Sequence, residues 1–265
     1  MRQKLKQLFQ IQKVLQECKY PDYVRVANEV YEFCDGDENK IVKVLERIKS
    51  NEPWEYIRGY TEFCGFKFVT NKSTLIPRIE TEQLVDIACS LMKERGFERV
   101  IDVGTGTGCI IISICKMLDN EEIEYIATDI SKDALQIAKI NAKENCVEKR
   151  IRFIETNLLD GVQIKENTLI VANLPYIPTS IYKKLDRSVL DYEPILALDG
   201  GVDGMKYYKE LIEDIKDRYK GMKNFSILIE IDPTIVNELH ALQIKDMHVI
   251  KDQNNLERFA LINLS

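Results

Sequence analysis

The spacing of apolar positions changes character twice along the chain. Over the first fifty residues they recur at intervals of three and four, as Leu5, Leu8, Phe9 and Leu15, then Val24, Val26, Ala27, Val30 and Tyr31, then Ile41, Val42, Val44, Leu45 and Ile48. That is the period of an amphipathic helix. The turn-forming clusters Tyr20-Pro21-Asp22 and Cys34-Asp35-Gly36-Asp37 interrupt it, so a bundle of three or more helices is expected. Residues 53–70 turn aromatic and β-branched, with Trp54, Tyr56, Phe63, Phe66, Phe68 and Val69, which predicts a hairpin. Beyond it, short apolar runs alternate with helical periods, and strands are predicted at 99–103, 124–128, 151–155, 168–172, 225–231, 246–252 and 258–263. Such alternation predicts an α/β fold with a mostly parallel, doubly wound, Rossmann-like sheet whose ligands sit at the carboxyl ends of the strands. The last two segments read as a terminal hairpin. The expected division is a helical unit with its linking hairpin over 1–72 and an α/β unit over 73–265.

Composition narrows the class. A chain of 265 residues with 45% hydrophobic and 30% charged residues is that of an ordinary globular protein. No run approaches the roughly 18 apolar residues that a membrane helix needs, and the first twenty mix lysines with apolar residues without a leader's unbroken core, so a cytoplasmic protein is expected. The net charge of −6 argues against direct, sequence-independent nucleic-acid binding, which draws its affinity from phosphate neutralisation. Seven cysteines without a Cys-x-x-Cys pair and two histidines give no zinc or disulfide pattern. No metal is expected, and most of the cysteines occupy apolar stretches and read as small buried hydrophobes.

Two motifs carry candidate chemistry. The apolar strand Val100-Ile101-Asp102-Val103 runs into Gly104-Thr105-Gly106-Thr107-Gly108 and then into the apolar run Ile110-Ile111-Ile112. Glycines let the backbone turn sharply and approach a ligand closely. A dinucleotide fingerprint would need its third glycine where Cys109 stands, so the shorter spacing favours a cofactor without a pyrophosphate, S-adenosylmethionine. Asp129 ends the next strand, where a carboxylate can accept ribose hydroxyls. Asn157 follows the third, where its side chain can pair with an adenine amino group or serve as an ordinary turn residue. Ser131 is the expected cap of the helix that follows Asp129.

The second motif is Asn173-Leu174-Pro175-Tyr176 at the end of a later apolar strand. An amide nitrogen is a poor nucleophile, so a catalyst must hold both of its hydrogens and place it in line with the methyl donor. The Asn173 side-chain oxygen and the Leu174 main-chain carbonyl offer two acceptors, Pro175 stiffens the turn, and Tyr176 offers an aromatic face. The pair of motifs points to methyl transfer onto a planar nitrogen.

On these residues the chain resembles the HemK/PrmC family, the glutamine methyltransferases of peptide-chain release factors. The likeness extends through Pro53-Trp54-Glu55-Tyr56-Ile57-Arg58-Gly59, through Leu75-Ile76-Pro77-Arg78-Ile79-Glu80-Thr81-Glu82, through Tyr192-Glu193-Pro194 with Ala197-Leu198-Asp199-Gly200-Gly201-Val202-Asp203-Gly204-Met205, and through Lys251-Asp252 with Arg258. The resemblance implies a class I S-adenosylmethionine-dependent methyltransferase sheet. It implies transfer of a methyl group to the side-chain amide (N5) of the glutamine in the Gly-Gly-Gln loop of bacterial class 1 release factors, with S-adenosylhomocysteine as the other product. By position, Gly104 to Gly108, Asp129 and Asn157 would hold the cofactor with Asn173. Asn173 to Tyr176 would hold the glutamine, and Arg78, Glu80 and Thr81 would line the same cleft, unless Arg78 and Glu80 form a structural ion pair. The helical unit would grip the release factor.

The chain departs from the family pattern in three places. Leu174 stands for the first proline of Asn-Pro-Pro-Tyr, Ile79 for a proline, and Ile229-Glu230-Ile231-Asp232-Pro233 lacks the glycine and glutamine usual after that strand. Asn-Leu-Pro-Tyr also occurs in ribosomal RNA adenine dimethyltransferases, but those resemble basic chains with the catalytic unit first. The sequence separates a ribosomal-protein glutamine methyltransferase poorly from a release-factor enzyme.

Overall fold

The structure is a computed structural model that describes residues 2–163, 165–218 and 223–264. The three helical periods are α1 (Arg2–Glu17), α2 (Tyr23–Phe33) and α3 (Glu38–Lys49). Their apolar faces, with Ile11, Leu15, Val26, Val30, Val44 and Ile48, form a core of their own. Asp37 starts α3 by accepting the N–H groups of Asn39 and Lys40, which satisfies donors that the first turn leaves free.

The hairpin expected over 53–70 is shorter in the structure. Trp54–Arg58 is a helical turn, α4, entered at Pro53 and closed by Gly59 at φ 81°; only β1 (Tyr60–Phe63) and β2 (Phe66–Val69) pair. The aromatic composition reads as strand, yet the Trp54 indole donates to Glu29 at 2.7 Å and its ring stands edge-on to Phe33. Docking against the bundle overrides a strand preference that depends on context. Phe63 and Phe68 of the hairpin lie instead in the core on one face of the large sheet.

That sheet follows α5 (Thr81–Arg95) and is built from β3 (Arg99–Val103), α6 (Cys109–Leu118), β4 (Glu124–Asp129), α7 (Lys132–Glu144), β5 (Ile151–Glu155) and β6 (Thr168–Ala172). Short helices α8 (Thr179–Tyr182) and α9 (Arg187–Leu190) lead to α10 (Lys206–Arg218), β7 (Phe225–Glu230), α11 (Val236–Ala241), β8 (Met247–Lys251) and β9 (Glu257–Leu264). The strand order is β5-β4-β3-β6-β7-β9-β8. The first five strands are parallel, and β9 runs antiparallel between β7 and β8. β3 and β6 are buried at every residue, which is why they read as short, mostly apolar segments without strict alternation.

The order reverses between β3 and β6: the chain runs outward over β4 and β5 and then returns to the other side of β3. A reversal of this kind leaves a crevice at the carboxyl ends of the strands. Val103 pairs with Thr128 on one side and Ala172 on the other, and Ala172 with Ile229. The residues just beyond these pairs, Gly104, Asp129, Asn173 and Glu230, therefore come side by side at one end of the sheet.

Candidate active site

The crevice is an open cleft of about 1120 Å³, its solvent-filled mouth included. Gly104, Thr105, Gly106, Thr107, Asp129, Asn157, Asn173, Leu174, Pro175, Arg78 and Thr81 all line it. Gly108 faces Ile112 and Ala138 instead, in the packing behind the turn. Glu80 is exposed and outside the lining. The described residues contain no group of three His, Cys, Asp or Glu arranged for a metal ion.

The glycine turn is held from below. The N–H groups of Gly104 and Thr105 both donate to the Thr128 carbonyl at 2.9 Å, and that of Gly106 donates to Asp129 Oδ2 at 2.9 Å. Gly104 has φ 74°, and a Cβ there would stand 2.8 Å from Leu174 Cδ2. An alanine would thus drive a side chain into the floor shared by the two motifs. Asp129 spends its other oxygen on the Ser131 N–H at 2.8 Å. Burial raises its carboxyl above the usual range, against the pull of these amides, and each oxygen keeps a lone pair for the cleft. Ser131 caps α7 by accepting from Ala134. Beneath the turn, Thr105 donates to Asp102 Oδ2 at 2.6 Å, while Asp102 Oδ1 has no partner. Burial pushes the Asp102 carboxyl up to about 7.

Asn173 directs its side-chain N–H toward Thr81 Oγ1 at 3.2 Å. The amide has one nitrogen and one oxygen, so Oδ1 is left for the cleft that the residue lines. Leu174 is held by Tyr208, whose hydroxyl accepts the Leu174 N–H at 3.2 Å and also approaches the carbonyls of Leu174, at 3.3 Å, and Glu230. A phenol has one proton to donate. The Glu230 carbonyl is the nearer acceptor, which leaves the Leu174 carbonyl with unspent capacity.

Tyr176 is not in the cleft lining. Its ring packs on the core of the other sheet face, and burial, then Glu230 and Asp232, hold its phenol far above the usual range. The glycine-rich segment after α9 braces the turn: Ile177 and Leu198 to Gly200 exchange backbone hydrogen bonds at 3.1 and 2.9 Å. A Cβ at Gly204 would lie 2.3 Å from the Tyr176 carbonyl oxygen, so only glycine permits that approach.

Arg78 does not pair with Glu80. It donates to Glu193 at 2.6 Å, and the second Glu193 oxygen accepts the Ile76 N–H at 3.1 Å. Sequence reasoning named Glu193 only within the family likeness and gave it no site role, and it singled out none of the cleft-lining Ile130, Thr74, Leu196 and Tyr207. Ile130 carries a local signal, an isoleucine directly after Asp129 that is half exposed at 53%. The others carry none. Cys109 also lines the cleft, and burial pushes its thiol up to about 12, which keeps it protonated and unreactive. Glu230, at the end of β7, is buried, with Oε2 unpartnered; burial pushes its carboxyl up to about 7 despite Thr81, Arg258 and Asn173.

Residues 81–185 match the profile of the Methyltransferase small domain. The chain is 34% identical to a release factor glutamine methyltransferase of Bacteroides thetaiotaomicron over 230 residues, which cover 85% of this chain and 81% of that one. It is 33% identical to the protein of the same name from Dictyoglomus turgidum, covering 77% and 71%. A bifunctional methyltransferase of Rickettsia bellii is 32% identical over 90% of this chain, which spans 50% of that longer protein. Among solved structures, the hMettl16 catalytic domain in complex with MAT2A 3'UTR hairpin 6 superposes with a TM-score of 0.56 at 15% identity, over 75% of each chain. At that identity the likeness is one of fold.

Proposed function

This chain belongs to the release factor glutamine methyltransferase family, and from that premise we propose that it methylates the side-chain amide of the glutamine in the Gly-Gly-Gln loop of bacterial class 1 release factors. It is a methyltransferase that uses S-adenosylmethionine, which supplies a sulfonium-bound methyl group for an acceptor nitrogen to attack. The residues present fit that donor: the cleft has a floor without a side chain at Gly104, where a Cβ would strike Leu174, and an acceptor-only carboxylate at Asp129 beside it. Gly104 to Thr107 would hold the donor through their backbone, Asp129 through ribose hydroxyls, and Asn157 through the base. Gly108 would act indirectly, by seating the turn on α6 and α7.

The observation that carries the acceptor assignment is the orientation of Asn173. With its N–H on Thr81, Oδ1 is the group left to accept a hydrogen from the substrate amide, and the Leu174 carbonyl can accept the second. Two acceptors at fixed positions hold the nitrogen plane and aim its lone pair. This is catalysis by positioning, and no side chain in the turn has to act as a base, because attack on a cationic donor discharges it and makes the product nitrogen acidic. Pro175 fixes the turn. Tyr176 would contribute by packing under it more than by covering the amide, and Arg78 with Thr81 would shape the opposite wall.

Residues 1–72 would provide the surface that receives the release factor. Leu5 and Phe9 of α1 are 63% and 69% exposed, an apolar pair that a protein partner could cover. The test is methyl incorporation from labelled S-adenosylmethionine with four acceptors in parallel: a class 1 release factor, a copy with the loop glutamine changed to alanine, ribosomal proteins, and ribosomal RNA. Label on the intact release factor alone supports the reading. Label on RNA or a ribosomal protein overturns the substrate.

A further inference from the structure

A buried carboxyl stands directly behind the acceptor turn. Glu230 ends β7 where Asn173 leaves β6, one step beyond the pair Ala172 and Ile229, and its side chain is outside the cleft lining. Only 1% of the residue is exposed, and Oε2 has no hydrogen-bond partner. Thr81, the first residue of α5, faces the carboxyl together with Asn173. Such a group is costly to keep unless its charge or its polarity has a use.

We propose that Glu230, acting on the Asn173 amide both directly and through the Thr81 hydroxyl, is the positioning residue that fixes that amide with Oδ1 toward the substrate. This rests on the reading of the site given above. The argument is one of donor and acceptor count. A hydroxyl has one proton. An ionised carboxylate can only accept, so Thr81 gives its proton to Glu230 and meets Asn173 with a lone pair. Asn173 must then present N–H to Thr81, as the 3.2 Å contact records. Its oxygen is thereby turned to the cleft, where a primary amide offers N–H.

Protonation undoes the order. A neutral Glu230 can donate to Thr81, whose own proton is then free for Asn173 Oδ1, and the amide can turn to present N–H to a substrate that needs an acceptor. The titratable and charged groups around Glu230 are Arg258 from β9, Glu80 ahead of α5, Tyr176 after β6, Tyr208 from α10, and Asp232, which lies 3.5 Å from Arg258. The phenols stay neutral through the neutral range, since burial raises both. Glu230 is the buried acid of this set whose charge changes near neutrality.

The test is steady-state methylation of a class 1 release factor at saturating donor across pH 6 to 9, with donor binding measured separately by calorimetry with S-adenosylhomocysteine. Wild-type kcat is expected to rise with pH through about 7. Glu230→Gln is expected to lose that limb and to lower kcat about ten-fold or more with donor affinity retained, the pattern of a lost interaction in the transition state. Thr81→Val should lower kcat in the same direction by less, Thr81→Ser should recover most of what Thr81→Val loses, and Glu230→Gln with Thr81→Val should be no worse than Glu230→Gln alone, since Thr81 acts through the same carboxylate. Wild-type kinetics and an unchanged pH limb in Glu230→Gln would overturn the proposal, as would additive losses in the double variant. Absence of any wild-type transfer to the release factor would instead overturn the substrate reading.

Discussion

Arg78 and Glu193 meet at 2.6 Å and join the segment before α5 to the segment after α9, two stretches that flank the cleft. The Glu193 side chain is 2% exposed and that of Arg78 36%. Glu193 also holds the Ile76 N–H, so one buried carboxylate fixes both the backbone and the arginine of the opposite wall.

Removing the arginine leaves that carboxylate buried with one amide for company. Arg78→Ala should cost about 2 kcal/mol of stability, less than the 3 to 5 typical of a fully buried pair because Arg78 reaches solvent. Urea denaturation measures it, and a loss under about 0.5 kcal/mol, the range of an exposed pair, would show that the tie contributes little.

Asp129 ties the glycine turn to the start of α7 through Gly106 and Ser131. Asp129→Ala should weaken binding of S-adenosylhomocysteine by about ten-fold or more, the worth of one to two charge-assisted hydrogen bonds. Calorimetry decides it: unchanged affinity removes Asp129 from the donor site.

Asn173→Ala deletes the acceptor oxygen without touching the glycine turn. Turnover should fall by about 10²-fold or more with donor affinity close to wild type, as for loss of a positioned polar group in a transition state. Near-normal kcat in this variant would end the assignment of Asn173.

The pH dependence of stability follows from Asp102 and Glu230, whose carboxyls burial raises to about 7. Both folded values exceed the unfolded ones, so the folded chain keeps protons that the unfolded chain releases. The stability tied to these groups is complete below about pH 4 and is lost as pH rises through 7. Glu230→Gln has no charge to bury. Relative to wild type it should gain about 2 kcal/mol between pH 5 and pH 8, a value set by the shift of Glu230, as read from urea melts at the two pH values. A gap between the two proteins that does not change with pH would mean that Glu230 titrates normally. The same variant is expected to transfer methyl more slowly, so stability and function would part at this residue.

Periodicity and apolar runs determined the layout of this protein. β3, β5 and β6 fall at the predicted residues: β3 and β6 are buried along their whole length, so their apolar clusters announce them locally, while the edge strand β5 shows itself by β-branched and aromatic residues alternating with charge. The glycine turn, Asp129 and the Asn173 turn were legible for a related reason: each ends or immediately follows a strand, and a doubly wound sheet gathers its strand ends at one edge. The helix at Trp54–Arg58 reads as strand from its aromatic composition, which contacts with Glu29 and Phe33 outweigh. What only the tertiary structure decided is which side chains stand behind the site. Thr81 and Asn173 lie 92 residues apart and Arg78 and Glu193 lie 115 apart, and Glu230 reaches Asn173 through the register of two parallel strands. A hydrogen bond leaves no periodic trace along the chain. Its partners are chosen by strand order and packing, so the orientation of the Asn173 amide was settled by the fold as a whole.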